Sequence, residues 1–224
     1  MVDNDNIRED LVKYSKILSE KDYVVGPGGN TSVRMGKFIY IKPSGLTFEE
    51  MHIDDLVEVN LETGAVSEGQ KRTRPSSEIQ MHRNIYMMRP DVKCIFHAHP
   101  PITIGIAARN IRFGHLYPDT VAYLGKEILV LDYIVPTTEK LADYVKSELR
   151  DHMAIVLKNH GAITLGTNPK QTCLRMEFLE SLAESIWIAA TVSNQHPIRF
   201  LSDDEMHEII NLKAEKYRTK LYEK

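Results

Sequence analysis

The stretch that most constrains this chain is Cys94-Ile95-Phe96-His97-Ala98-His99, an apolar run with two histidines one residue apart, cut off by Pro100-Pro101. Its composition and its proline stop predict a strand over 92–98. In a strand, residues i and i+2 project to the same face, so His97 and His99 can aim both imidazoles at one point. Imidazole is a common zinc ligand, and catalytic zinc sites typically use three protein ligands and keep one position open. A third histidine stands in Lys158-Asn159-His160-Gly161, where the glycine lets the backbone turn tightly beside a ligand. The pair alone also fits two strand histidines that only hydrogen-bond to neighbours. With His160 added, the pattern points to a metal enzyme.

The rest of the chain surrounds that run with both helices and strands. Helical spacing predicts a helix over 7–20, one from Ser76 to about Met88 opened by Pro75, one over 102–109, one around 137–150, a long one from Pro169 to about Ser193, and a last one starting near Ser202. Strand-like runs occur at 38–41, 56–60, 128–134 and 153–157, and a glycine-rich loop covers 26–32. The order lacks the regular βαβ spacing of a doubly wound sheet, so a sheet sandwiched by helices is expected, in one α/β domain over 1–224. The 224 residues suffice for one sizeable core.

A net charge of −3 gives no general case for nucleic acid, and Lys71-Arg72-Thr73-Arg74 reads as a solvated loop. The two cysteines, Cys94 and Cys173, form no disulfide framework. The polar N-terminus lacks the pattern of a signal peptide, and no apolar run approaches the roughly 18 residues of a membrane span. A cytoplasmic protein is expected.

Glu78 falls early in the helix after Pro75, with His82 four residues on and on the same face. Beside a metal, such a carboxylate can shuttle a proton as base and then acid; an ordinary surface pair would use the same spacing. Three places could grip an anion with backbone amides and hydroxyls: Ser76-Ser77 at the helix start, Gly28-Gly29-Asn30-Thr31-Ser32, and Pro43-Ser44-Gly45. Helix caps and tight turns use the same residues, but three such segments beside a three-histidine pattern point to a phosphorylated substrate.

The ordered set Gly29-Asn30, Ser44-Gly45, Ser76-Ser77-Glu78, His97-Ala98-His99 and His160-Gly161 resembles the class II aldolase/adducin family, over almost the whole chain. The resemblance implies a three-layer α/β/α fold with a central, largely antiparallel mixed sheet. It implies that His97, His99 and His160 bind one Zn²⁺ per subunit and that Glu78 is the catalytic acid/base, able to occupy a metal position when substrate is absent. Gly29, Asn30, Ser44, Gly45, Ser76 and Ser77 would hold the substrate phosphate. Tyr117 and Tyr217 are the counterparts of two tyrosines that reach the site from a neighbouring subunit, in a homotetramer with sites at its interfaces. The implied reaction is reversible cleavage of a ketose 1-phosphate such as L-fuculose 1-phosphate to dihydroxyacetone phosphate and an aldehyde such as L-lactaldehyde. The same scaffold serves 3-oxo-tetronate 4-phosphate decarboxylation, methylthioribulose 1-phosphate dehydration, ribulose 5-phosphate 4-epimerisation and, without metal ligands, adducin-like interaction modules.

Overall fold

The computed structural model describes residues 4–68, 74–192 and 196–222. Its centre is β4 (Cys94–Ala98), buried along its whole length. On one side β4 pairs antiparallel with β1 (Asn30–Met35), which continues through β2 (Phe38–Ile41) to β3 (Val57–Asn60). On the other it pairs antiparallel with β7 (Gly161–Gly166), which forms a hairpin with β6 (Ala154–Leu157). The short β5 (Leu129–Leu131) adds to β6 in the only parallel pairing among the described residues, giving one seven-stranded sheet in the order β3-β2-β1-β4-β7-β6-β5.

Strand alternation sorts the core into two layers. Cys94, Phe96 and Ala98 pack with Leu11 and Leu18 of α1 (Asn4–Glu20), Ile106 of α3 (Pro101–Ala108) and Met176, Leu179 and Leu182 of α6 (Pro169–Val192). Ile95, Ile155, Ile163 and Leu165 face the other way, against Met81 and Ile85 of α2 (Ile79–Met88) and Leu141 and Val145 of α5 (Glu139–Glu148). Burying each of the Leu, Ile, Val, Phe and Met side chains among these stabilises by about 1.5–3 kcal/mol. The layers are therefore α/β/α, as expected. A smaller cluster joins Val121 of α4 (Pro118–Leu124) to Met206 and Ile209 of α7 (Asp203–Asn211).

Several elements differ from the sequence expectations. The helix after Pro75 begins only at Ile79, so Glu78 is its N-cap residue and not part of its first turn. The expected glycine-rich loop ends at Gly29, because Asn30, Thr31 and Ser32 are buried strand residues whose side chains have polar partners. Strand β7 and helix α4 were not expected, and the strand at 128–134 is confined to 129–131. The last helix breaks at Leu212 into α7 and α8 (Lys213–Leu221). Lys71, Arg72 and Thr73 of the basic run, and Ser193, lie outside the described residues; Arg74 is exposed.

Candidate metal centre and its cavity

His97 is the fourth residue of β4 and His99 lies just beyond its end, so both emerge on the α2/α5 side of the sheet. His160 follows Asn159, whose φ of 56° closes the β6–β7 turn, and the pairing of Ala98 with Ala162 sets that turn beside His99. The close approach requires glycine at 161. A Cβ there would lie inside contact distance of the Ala98 carbonyl, 2.8 Å from His99 Cδ2 and 3.2 Å from His97 Cε1. Gly29 is equally confined: its φ is 64°, and a Cβ would come 2.8 Å from the His97 carbonyl oxygen.

The three imidazoles form the one such group among the described residues, each offering a ligand atom within 4.8 Å of the others. His97 Nε2 and His99 Nε2 are 3.3 Å apart. Two nitrogens each about 2.0–2.1 Å from a tetrahedral zinc are separated by roughly 3.3–3.4 Å, so the His97–His99 pair stands at the spacing zinc needs. His97 Nδ1 sits 3.0 Å from the Ala162 carbonyl and donates to it, which leaves Nε2 with its lone pair toward the cluster. Burial lowers the pKa of all three rings, that of His160 to about 4. Neutral rings with free lone pairs are the ligand form.

Glu78 places its carboxylate against this cluster, with Oε2 3.2 Å from His97 Nε2 and Oε1 3.6 Å from His160 Nε2. Burial pushes its pKa up, but the neighbouring His97 and a 2.8 Å hydrogen bond from Asn30 Nδ2 outweigh it and hold the carboxyl below its usual range. Asn30 can reach it because β1 and β4 set Asn30 directly opposite His97. Behind Asn30, His82 is fully buried, where sequence spacing allowed a surface pair; burial lowers its pKa to about 3.

Glu78, His99 and His160 border a cavity of about 380 Å³ whose other wall contains Gly28, Gly29, Asn30, Ser44, Gly45, Ser76 and Ser77. All three candidate anion segments therefore converge on the histidines. The chain brings them together through a bridge between Pro43 and Pro75, with Ser44 N donating to Arg74 O and Ser76 N to Lys42 O. Lys42 also lines this cavity and was not singled out from the sequence. It is buried, its ammonium donates to Pro27 O at 2.9 Å and lies over the Phe48 ring, and desolvation lowers its pKa to about 8. Its sequence signal was a lysine set directly before a candidate anion turn. Tyr117 and Tyr217 do not line the cavity: Tyr117 donates to Ser181 Oγ at 3.0 Å, and Tyr217 projects from α8, 66% exposed.

Residues 9–187 match the family described as Class II Aldolase and Adducin N-terminal domain, and the chain belongs to that family. It is a lyase of the metal-dependent aldolase class. An L-fuculose phosphate aldolase of Methanocaldococcus jannaschii is 34% identical over 177 residues, 79% of this chain and 93% of that protein. A 5-deoxy-D-ribulose 1-phosphate aldolase of Bacillus thuringiensis serovar kurstaki is 31% identical over 207 residues, 90% of this chain and 92% of that protein. A solved L-fuculose 1-phosphate aldolase superposes with a TM-score of 0.84 at 30% identity, covering 97% of this chain and 98% of that one.

Proposed function

We propose that residues 1–224 act as one class II aldolase-type domain. It reversibly cleaves a ketose 1-phosphate, of the L-fuculose 1-phosphate kind, to dihydroxyacetone phosphate and an aldehyde of the L-lactaldehyde kind. The observation that carries this reading is the buried carboxylate of Glu78 between a three-imidazole donor set and a polar, lysine-lined cavity. His97, His99 and His160 would hold Zn²⁺, with Glu78 able to take a metal position before substrate arrives. When bound, the zinc supplies Lewis acidity toward the ketone oxygen and adjacent hydroxyl.

In this reading Gly29, Asn30, Ser44, Gly45, Ser76 and Ser77 orient the phosphate, and Lys42 adds a cation to that wall. In the synthetic direction Glu78 removes a proton from the hydroxymethyl carbon of dihydroxyacetone phosphate, which then adds to the aldehyde carbonyl. In cleavage Glu78 returns that proton. Tyr117 and Tyr217 of neighbouring subunits are assigned to the alkoxide proton, in a homotetramer with sites between subunits. Exposed Val25, Trp187, Ile188 and Val192 support such association. A cytoplasmic setting fits a phosphorylated substrate, and among the described residues no helix is long and apolar enough to cross a membrane.

The similarity to a 5-deoxy-D-ribulose 1-phosphate aldolase over 90% of the chain makes that sugar phosphate a second candidate, since both would release dihydroxyacetone phosphate. A coupled assay on zinc-loaded protein, offered each sugar phosphate with and without EDTA, tests the proposal. Chelator-sensitive release of dihydroxyacetone phosphate is expected. Zinc-replete protein that releases none from either sugar refutes it and directs the search to carbon dioxide release from oxo-tetronate phosphates.

A further inference from the structure

Behind the Glu78 carboxylate a chain of polar side chains runs into the core and ends there. Asn30 Nδ2 donates to Glu78 Oε2 at 2.8 Å, and Asn30 Oδ1 lies 2.6 Å from His82 Nε2. An amide oxygen only accepts, so His82 Nε2 carries the ring proton and His82 Nδ1 accepts. Its partner at 2.7 Å is Ser32 Oγ, which therefore donates, and Tyr86 OH stands 2.8 Å from that oxygen and 3.0 Å from the Ser32 carbonyl. The protons of Ser32, His82 and Asn30 thus point toward the carboxylate, with Tyr86 OH donating to the Ser32 carbonyl at the far end, and hydrogen bonds aligned head to tail polarise one another. Tyr86, Ser32 and His82 are fully buried, and none of them lines the cavity.

The two oxygens of Glu78 are treated differently by this arrangement. Oε2 receives the Asn30 amide, whereas Oε1 is buried without any hydrogen-bond partner. Reversing the Asn30 amide would set its oxygen against Oε2, and the His82 donor opposes that reversal. We propose that His82 is a positioning residue for the acid/base carboxylate: through Asn30 it pins Oε2 of Glu78 and leaves Oε1 as the oxygen that exchanges the proton with the substrate carbon. The inference rests on the acid/base reading of Glu78 and specifies which atom acts and what aims it.

The test pairs His82→Asn with His82→Gln on the zinc-loaded enzyme. Asparagine reproduces the Nδ1 acceptor facing Ser32 and lacks the donor facing Asn30; glutamine reaches the Nε2 position and restores that donor. His82→Asn is expected to lower kcat about 10- to 100-fold with KM little changed and zinc content intact, and His82→Gln to recover most of the loss. Equal loss in both variants, loss that follows the melting temperature, or unchanged kcat in His82→Asn overturns the inference. If His82→Asn does not fold, Ser32→Ala, which removes the donor to His82 Nδ1, takes its place: a several-fold lower kcat at constant KM is expected, and an unchanged kcat overturns. In metal-free protein labelled with ¹⁵N-histidine, His82 is expected as the Nε2–H tautomer; an Nδ1–H tautomer also overturns it. Glu78→Gln separates this inference from the reading beneath it. If that variant still exchanges the dihydroxyacetone phosphate C–H with solvent, both fall; if it is inactive while His82→Asn runs at full rate, only the positioning role falls.

Discussion

Replacing Gly161 by alanine adds one methyl group at the point where β4, the β6–β7 turn and two imidazoles meet. Gly161 has no positive φ, so backbone strain contributes nothing and the effect is purely one of space. The new Cβ would overlap the Ala98 carbonyl and stand 2.8 Å from His99 Cδ2. Relaxed carbon–oxygen contacts lie near 3.3–3.6 Å, so β7 and β4 must part by about 1 Å at this end. A carbonyl in a strand ladder cannot rotate away as a flexible side chain would. Overpacking of this kind destabilises by about 1–3 kcal/mol, a fall in Tm of roughly 2–12 °C for a chain of this size. Ligand constellations tolerate about 0.5 Å of displacement, so zinc affinity should fall about 100-fold, equivalent to about 2.8 kcal/mol. The assay is competitive zinc titration against a chromophoric chelator, with thermal melts of the metal-free protein. Gly105→Ala is the control, because a Cβ there meets nothing within 4 Å and Gly105 lies inside α3, away from the histidines. A Gly161→Ala protein with parental zinc affinity and Tm would refute the packing argument.

Three further outcomes are expected. The folded-state pKa of His82, about 3, lies below the unfolded value near 6.5, so the unfolded chain binds more protons as pH falls and stability is lost from about pH 6.5 downward. Between pH 7 and pH 5 this amounts to about 2 kcal/mol from His82 alone, and His115 and His160, lowered to about 4, act in the same direction; an unshifted urea midpoint of metal-free protein over that range would contradict it. Glu180 reaches from α6 to accept hydrogen bonds from the Ile102 and Thr103 amides and the Thr103 hydroxyl at the start of α3, all at 2.7–2.8 Å. Glu180→Ala leaves those donors unpaired and should destabilise by about 3–5 kcal/mol, read as the change in unfolding free energy; a loss under 1 kcal/mol would show that water replaces the cap. Lys42→Met should raise KM for the sugar phosphate about tenfold or more with a smaller change in kcat, whereas a selective fall in kcat would place the lysine in the chemistry.

The three-histidine cluster was legible because strand parity alone brings His97 and His99 to one side, and the glycine after His160 marked a close approach. Glu78 was legible by type and neighbourhood, though its helix starts one residue after it, since Pro75 here bridges to Pro43 and opens no helix. Strand β1 escaped notice because its first three residues are polar and buried. Hydropathy alternation cannot report a strand whose inward side chains are matched by hydrogen bonds instead of hydrocarbon, as Asn30 and Ser32 are. The same blindness hid Lys42, whose burial depends on the Phe48 ring and the Pro27 carbonyl, neither of which is fixed by its local sequence. His82 was visible four residues after Glu78, but nothing local distinguishes a solvated helix face from one pressed against β1.

The placement of β4 in the sheet also governs when the centre comes into being. β1 and β2, like β6 and β7, are joined by tight turns that close rapidly, and β3 follows β2 through residues 42–56. β4 must find β1 across more than fifty residues and β7 across a similar span, and contacts of that separation form late. A partly folded chain therefore offers a metal only the His97–His99 pair or the lone His160, never the set. Metal binding at the proposed centre would then act as a latch that closes after both halves of the sheet have docked, holding the completed topology by mass action and slowing its return to the half-assembled state.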